Sequence, residues 1–334
     1  MTASMFGIWA IKAVILILIL LTGFAYATYY ERKAIARIQV RIGPNRAGPW
    51  GLLQPVADGV KLIFKEEFIP AKADKVLFTL APIITVIPAF LIGAVIPWGG
   101  EVPFFGRTAH LYLADIDVAT LYIVAVGSLA VYGIVLAGWS SNNKYSLLGG
   151  LRSAAQMVSY ELALGLALVG PILLAGSMSL VKIVEAQKHL WYIVYQPLGF
   201  LIFLMAAFAE INRSPFDLPE AEQELTGGYH TEYSGMRFAL FFMAEYIKVV
   251  AMSAIIAALF LGGYYGPGVE AFPWLGPVYM LIKILALVFF AIWTRATLPR
   301  LRYDRLMAFG WKVLFPLALL NVFLTAIGIV VLGG

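Results

Sequence analysis

Cysteine is absent from the 334 residues, and histidine occurs only three times, at His110, His189 and His230. Iron–sulfur clusters need thiolate ligands, and a haem held by two histidines needs them on facing helices. The three histidines lie far apart in the sequence and outside the centres of its apolar runs. The sequence therefore excludes both kinds of redox centre in this chain, and electrons for any redox role must come from a partner.

Charged residues are also scarce. They make up 13% of the chain, whereas hydrophobic residues make up 61%. A soluble domain has about 25% charged residues. This composition is typical of a polytopic membrane protein.

Eight apolar runs are long enough to cross about 30 Å of hydrocarbon as α-helices. Their expected limits are 7–30, 76–97, 117–138, 154–176, 191–209, 238–261, 273–293 and 309–332. No repeat and no long polar tract divides the chain, which indicates a single membrane domain over residues 1–334. The sequence thus predicts an all-α polytopic membrane protein with eight transmembrane helices.

Lysine and arginine are divided unevenly between the two sets of loops. One set holds 18 of the 24 basic residues and comprises loops 31–75, 139–153, 210–237 and 294–312. The opposite loops hold only Arg107, Lys182 and Lys188. Because loops rich in Lys and Arg stay in the cytoplasm, we expect the basic loops to be cytoplasmic and both termini to face the outer side.

The segment GPWGLLQPVADGVKLIFKEE, between the first two runs, has helical periodicity. Its apolar residues recur at helical spacing and are Leu52, Leu53, Val56, Val60, Ile63 and Phe64. Lysines and glutamates form the other side. This pattern predicts an amphipathic helix that lies in the membrane interface or against a neighbouring protein.

Carboxylates within and beside the apolar runs are the most informative polar residues. The segment from Glu210 to Glu245 contains six glutamates and one aspartate between two spans, and Glu161 lies inside the fourth span. A charge at the centre of a bilayer costs about 3 kcal/mol on insertion scales, so such residues are usually functional. Carboxylates take up and release protons, which favours proton transfer. We expect Gln156 and Tyr160, on neighbouring turns, to hydrogen-bond Glu161.

Further charged residues lie on the basic side. Glu31 and Arg32 end the first span, Arg41 follows them, and Asp58 lies on the predicted amphipathic helix. Arg295 begins the basic segment between the last two spans. Membrane topology accounts for most arginines here, and helix solvation accounts for Asp58 taken alone. Neither accounts for Glu31 among the arginines.

Two long stretches, YYERKAIARIQVRIGPNRAGPWGLLQPVADGVKLIFKE and AEINRSPFDLPEAEQELTGGYHTEYSGMRFALFFMAEY, resemble the signature stretches of the H subunit family of NADH:quinone oxidoreductase, respiratory complex I. The stretches GWSSNNKYSLLGGLRSAAQMVSYELALG and RATLPRLRYDRLMAFGWK are similar to the same family, so the resemblance covers nearly the whole chain. It implies eight transmembrane helices, a tilted first helix and a cytoplasmic interfacial amphipathic helix.

The resemblance also implies roles for individual residues. Positions of the quinone entrance and chamber are matched by Glu31, Arg32, Arg41, Asp58 and Arg295. Carboxylates of the membrane-embedded proton path are matched by Glu161, Glu210 and Glu245. The acidic loop that links the path to the chamber is matched by Glu220, Glu222 and Glu224.

The resemblance implies a non-redox subunit that itself binds no cofactor. The resemblance implies quinone as substrate, with FMN and iron–sulfur clusters in partner subunits. The implied partners are peripheral-arm subunits that complete the quinone chamber, antiporter-like membrane subunits and membrane lipids, with no nucleic acid. The implied location is a bacterial inner membrane, and the implied activity couples quinone reduction to proton translocation.

Three alternatives stay open at this stage. The homologous membrane subunit of a membrane-bound hydrogenase, formate hydrogenlyase or F420H2 dehydrogenase shares the fold but has another electron donor. A self-contained cation–proton antiporter is disfavoured, because such transporters often contain inverted repeats and none is visible. A purely structural anchor suits the arginine-rich loops but leaves Glu161 and Glu245 unexplained.

Overall fold

The computed structural model describes residues 3–104, 107–218 and 222–332. The α-helices are α1 Ala3–Ile38, α2 Gln54–Phe64, α3 Lys75–Gly93, α4 Ala119–Ser140, α5 Lys144–Ala175, α6 Leu180–Ala186, α7 Tyr192–Tyr195, α8 Pro197–Glu210, α9 Glu222–Leu225, α10 Gly235–Phe260, α11 Leu275–Thr297, α12 Tyr303–Phe309 and α13 Phe315–Leu332. The turns Pro49–Gly51 and Gly228–His230 are 3-10 helices, and the π-helical turn Gly310–Leu314 joins α12 to α13. A hairpin pairs β1 Glu101–Phe104 antiparallel with β2 Arg107–His110.

Within the described residues, seven helical segments are long and apolar enough to cross a membrane. They are α1, α3, α4, α5, α10, α11 and the continuous segment Tyr303–Val331. The all-α polytopic class is confirmed, but the expected number of eight spanning helices is not. The predicted fifth span, 191–209, is divided into α7 and α8. The 14 residues of α8 form a helix about 21 Å long, shorter than the hydrocarbon layer of about 30 Å.

The division falls at the Gln196–Pro197 step. Proline has no backbone N–H, and its ring disfavours helical conformation in the residue before it. Gln196, which precedes this proline, makes two hydrogen bonds. Its side chain donates to Thr325 Oγ1 of α13 at 2.8 Å, and its backbone N–H donates to Tyr192 O at 2.7 Å. The start of α8 is thereby fixed to α13.

Helix α1 extends well beyond the predicted end at residue 30 and continues through Glu31 and Arg32. Its 36 residues are about 54 Å long, so part of it must tilt or protrude from a bilayer of ordinary thickness. The tilt implied by the family resemblance stays a prediction. Apolar side chains such as Ile11 and Leu18 are exposed along its first half, as expected of a helix that contacts lipid.

The predicted amphipathic helix is confirmed as α2, which has a proline in its first turn, a position where the missing N–H is not needed. Its apolar side chains point away from the rest of the chain: Val56, Val60, Ile63 and Phe64 are between 49% and 84% exposed. A contiguous apolar surface of this kind marks contact with lipid or with another protein. Its cytoplasmic placement stays a prediction.

Helix α10 forms much of the core. It packs against α1, α3, α8 and α11. From Tyr246 to Phe260 nearly every side chain is buried. The charged residues Glu245 and Lys248 of this helix therefore lie between other helices rather than against lipid.

The turn that precedes α10 contains a buried histidine, and its stability should depend on pH. His230 packs against Tyr229, Phe238 and Phe241, and burial lowers the pKa of its imidazole to about 3. In the unfolded turn the pKa is about 6.5, so stability is fully present above that pH. It falls as the pH drops from about 6.5 towards 3, by up to about 1.4 kcal/mol per pH unit.

We expect hydrogen-exchange protection of residues 228–234 to decrease through this pH window in the native chain. His230→Phe should remove the dependence, because the replacement keeps an aromatic ring but cannot bind a proton. Protection that is equally insensitive to pH in both proteins would contradict the assignment.

Candidate functional site

Glu31 of α1 is at the centre of a buried ionic cluster. Its carboxylate accepts a hydrogen bond from the Tyr246 hydroxyl at 2.7 Å and pairs with Arg213 Nη1 at 3.2 Å. Arg295 of α11 also pairs with it. The Glu31 side chain is only 8% exposed. Burying its charge is costly, and the guanidinium groups of Arg213 and Arg295 offset that cost.

Arg213, in the loop after α8, connects Glu31 to Glu245 of α10. Its Nε pairs with Glu245, and its guanidinium lies 4.2 Å from the centroid of the Tyr246 ring. Burial favours the neutral form, but Glu245, Tyr246 and Glu31 outweigh it and raise the pKa of Arg213 above its usual value. Arg213 is therefore a permanent positive charge between two buried carboxylates.

The loop that carries Arg213 is held by Gln156 of α5. The buried Gln156 side chain donates to Ala209 O and to Phe216 O, both at 2.7 Å. These carbonyls lie on either side of Arg213 in the sequence, so the two bonds fix where its side chain begins. An amide has two N–H donors, and here both are used by the loop.

Glu161 of α5 does not bond the residues expected from the sequence, and that expectation is wrong. Gln156 is occupied by the loop, and the Tyr160 hydroxyl donates to Leu306 O at 2.9 Å. The carboxylate of Glu161 instead accepts a hydrogen bond from the Ser128 hydroxyl of α4. Residues one and five positions away on the same helix point to other neighbours.

Glu210 ends α8 and approaches Glu161 across a narrow cavity of about 10 Å³ that both side chains line. Gly127 of α4 leaves room for the Glu210 side chain. A Cβ atom at this position would lie only 3.0 Å from Glu210 Oε1, which is closer than an ordinary contact. Lys248 is 7% exposed and interacts electrostatically with Glu210, Glu161 and Glu245. It forms no direct ion pair in the part of the chain that the structure describes.

The charged residues on the protein surface lie next to this cluster. Arg32 follows Glu31 on α1, and its Nη1 pairs with Asp58 of α2 at 2.7 Å. Gln54 also donates to Asp58, at 3.1 Å. Arg41 does not join them, since its Nε donates to Gln39 at 2.7 Å and its side chain is exposed.

The acidic loop is only partly described. Glu220 lies outside the described residues, as does the side chain of Glu222, the first residue of α9. Glu224 pairs with Arg152 of α5 at 2.7 Å, with side chains 53% and 31% exposed. Exposed pairs contribute about 1 kcal/mol or less, so this contact holds the loop weakly.

The buried and surface charges alternate in sign over most of the series. In order they are Asp58, Arg32, Glu31, Arg213, Glu245, Lys248, Glu210 and Glu161. We call these residues the charged series. It begins at the surface pair formed by Asp58 of α2 and Arg32 of α1, and it ends inside the helical bundle. Arg295 contacts it at Glu31.

The sequence did not predict three residues of this site. Arg213 belongs to the charged series, and Tyr246 and Ser128 hydrogen-bond two of its carboxylates. A signal existed for the first two, because Arg213 closely follows Glu210 and Tyr246 directly follows Glu245. No signal marked Ser128, since a single hydroxyl in an apolar helix is usually satisfied by the preceding turn. It does bond Val124 O at 2.9 Å.

Gln156→Leu should loosen the loop without removing any charge. The change removes the hydrogen bonds that Ala209 O and Phe216 O accept from α5, each of which contributes about 0.5–1.5 kcal/mol. We expect faster hydrogen exchange at residues 211–218. The matched control is Gln187→Leu, which removes another buried glutamine that donates to Ala258 O at 2.8 Å and should leave exchange at 211–218 unchanged. Equal exchange at 211–218 in both variants would show that Gln156 does not hold the loop.

The fold and the site together define an integral membrane protein in which a series of charges runs from one surface into the bundle. The chain belongs to the NADH dehydrogenase family, whose model matches residues 11–326.

Similar proteins include the NADH-quinone oxidoreductase H subunit of Protochlamydia amoebophila (strain UWE25), 53% identical over 305 residues that cover 91% of this chain and 92% of that protein. The H subunit numbered 1 of the same enzyme from Geobacter metallireducens (strain ATCC 53774 / DSM 7210 / GS-15) is 54% identical, with 94% of each chain covered. The H subunit of Thermomicrobium roseum (strain ATCC 27502 / DSM 5159 / P-2) is 53% identical, covering 94% of this chain and 93% of that protein.

Proposed function

We propose that this chain is the membrane subunit of a proton-translocating NADH:quinone oxidoreductase and couples quinone reduction to proton translocation without holding a redox centre. Family membership and the names of relatives that match over nine-tenths of both chains support the assignment. The observation that carries the coupling role is the charged series, which joins the surface pair Arg32–Asp58 to Glu161 inside the bundle.

The charged series without its surface pair Asp58–Arg32, taken together with Arg295, contains one more carboxylate than cations. The carboxylates are Glu31, Glu161, Glu210 and Glu245, and the cations are Arg213, Lys248 and Arg295. With every group ionised the site carries one net negative charge, which is costly away from water. One bound proton cancels it. We infer that these carboxylates share one exchangeable proton, whose position depends on charges at the quinone side.

Quinone reduction would act on this proton through Glu31 and its two arginines. A quinone that takes up electrons acquires negative charge until it is protonated. Charges about 5 Å apart in a medium of effective permittivity ~20 interact by about 3 kcal/mol. That energy corresponds to a change in proton affinity of roughly a hundredfold. It is enough to move the shared proton between Glu245, Glu210 and Glu161, and from there towards antiporter-like partner subunits.

The quinone itself needs more room than this chain encloses. The cavity between Glu31, Arg213, Tyr246 and Arg295 has a volume of about 20 Å³, enough for about one water molecule. We therefore place the quinone in a chamber that peripheral-arm subunits complete, with Asp58, Arg32 and the apolar face of α2 near its entrance. FMN and the iron–sulfur clusters belong to those partners. Arg41, Glu220, Glu222 and Glu224 keep their proposed roles from the family resemblance.

The proposal also includes the location of the chain and its orientation in the membrane. The whole chain forms one domain in a bacterial inner membrane, with its four basic loops in the cytoplasm and both termini on the outer side. A role in a membrane-bound hydrogenase or F420H2 dehydrogenase is disfavoured, since the relatives named above are subunits of NADH-quinone oxidoreductase. The charged series also disfavours a purely structural anchor.

Extraction from native membranes in mild detergent tests the proposal. Mass spectrometry of the purified fraction should identify flavin, iron–sulfur and antiporter-like partner subunits, and the same fraction should have inhibitor-sensitive NADH:quinone reductase activity. A nickel–iron hydrogenase partner would replace the proposal with the related alternative. Recovery of the chain alone, with ion-exchange activity in liposomes, would reject both.

A further inference from the structure

We propose that a pocket at the ends of α3, α4 and α5 binds the phosphate group of an anionic phospholipid. The pocket has a volume of about 560 Å³ and is lined by Lys72, Ser141, Asn142, Asn143, Lys144 and Glu232, together with two apolar residues. We call it the lysine pocket. It shares no residue with the charged series.

The groups that line the lysine pocket suit an anion. Lys72 and Lys144 are exposed, and neither forms an ion pair with any residue in the described ranges. The one carboxylate there, Glu232, accepts a hydrogen bond from Asn143 Nδ2 at 2.6 Å. Two ammonium groups, each with three donors, therefore outweigh a single carboxylate that is already engaged.

The pocket lies at the depth of lipid headgroups. Helix α4 ends at Ser140, α5 begins at Lys144 and α3 begins at Lys75, so three spanning helices leave the membrane beside it. Trp139 and Tyr145 flank it and are 67% and 42% exposed. Exposed Trp and Tyr are typical of the membrane–water interface. This depth favours a lipid over an acidic segment of a soluble partner.

An apolar stripe leads from the pocket into the membrane region. Along α4, Trp139, Tyr132 and Leu129 are between 47% and 67% exposed. Their spacing of seven and three residues places them on one helix face. An acyl chain can lie along this face while its phosphate binds the lysines, whereas a free phosphate ester gains nothing from the stripe. Basic pockets on the cytoplasmic side of membrane proteins bind anionic headgroups in this way.

The test uses the assembled complex, delipidated in mild detergent and reconstituted in phosphatidylcholine nanodiscs that contain a photoactivatable phosphatidylglycerol. Adducts mapped by mass spectrometry should lie on peptides that include residues 139–148. The double variant Lys72→Gln/Lys144→Gln should lower this labelling by about tenfold or more, because each basic residue near an anionic lipid surface raises affinity about fivefold.

The control variant Lys61→Gln/Lys65→Gln removes the same charge from another surface of the same loop region and should label like the native protein. Both pairs of lysines are exposed, so both variants should fold, which thermal unfolding of the complex checks. Equal labelling of the two variants would overturn the proposal. Displacement of the lipid by inorganic phosphate would indicate that the pocket binds a soluble phosphate ester. A cross-link from the pocket to an acidic segment of a partner would indicate a protein contact. Either result would reject the lipid.

Discussion

Replacing Arg213 with methionine is expected to destabilise the protein by about 3–5 kcal/mol and to abolish proton-coupled quinone reduction. The loss leaves Glu31 and Glu245 buried with fewer compensating charges, since Arg213 is the one residue that pairs with both in the described structure. Breaking a buried ion pair from one side costs this much because an uncompensated charge remains. Methionine has a similar volume, so the effect reports charge rather than a cavity.

Thermal unfolding of the assembled complex and its NADH:quinone reductase rate are the two measurements for this variant. Arg152→Met is the matched control for stability, because Arg152 forms a partly exposed pair with Glu224 and its loss should cost about 1 kcal/mol or less. The double variant Arg213→Met/Glu245→Gln should recover part of the stability, since it removes one of the stranded carboxylates, but none of the activity. If Arg213→Met behaved like Arg152→Met, the central place of Arg213 in the charged series would be wrong.

Much of the architecture could be predicted because hydrophobic length and periodicity are local properties of a sequence. The apolar runs predicted the long helices, and the spacing of Leu52 to Phe64 predicted α2. The divided fifth span shows the limit of this reasoning. Pro197 lies within this run at the start of α8, but hydropathy averaged over a window does not respond to one residue.

The ionic contacts could not be predicted in the same way. Arg213 and Glu31 are 182 positions apart, and Arg295 and Glu31 are 264 apart. A pairing of this kind depends on how α1, α11 and the loop after α8 pack, which no local pattern encodes. The resemblance supplied the carboxylates together with Arg32 and Arg295, but it did not supply Arg213 or Lys248.

The structure also changes how the predicted site residues group. The resemblance assigned Glu31 to the quinone chamber and Glu245 to the proton path, as separate sets. Arg213 contacts both, and Tyr246 beside Glu245 donates its hydroxyl to Glu31. A charge change at Glu31 therefore reaches Glu245 through one guanidinium. The proposed chamber and the proposed path therefore meet at Arg213, which favours direct electrostatic coupling over a long conformational relay.

Short α8 is positioned for the next step of the proposed coupling. Gln196 bonds α13 at its start, and Gln156 bonds Ala209 near its end. Glu210 is the last residue of this helix. Anchoring at both ends fixes its carboxylate beside Glu161, so proton exchange between them requires little movement of the backbone.

Glu210→Gln should lower proton-coupled turnover by about a hundredfold, the contribution typical of a positioned proton-transfer group. Glutamine keeps the size and hydrogen bonding of the side chain but cannot carry the proton. Lys248→Met should lower turnover as well and should also destabilise the protein, because the Glu210 charge then lacks its nearby cation. The double variant restores charge balance, so its stability should approach that of the native protein while turnover stays low.

Proteoliposomes that contain the assembled complex allow the quinone reductase rate and proton translocation to be measured together for each variant. Glu270→Gln is the matched control, because Glu270 is an exposed glutamate paired with Lys188 outside the charged series. If Glu210 had only a structural role, the double variant would regain turnover along with stability. If Glu210 carries the proton, the double variant will regain stability but not turnover. Balancing the charge restores the fold but supplies no group that can bind the proton.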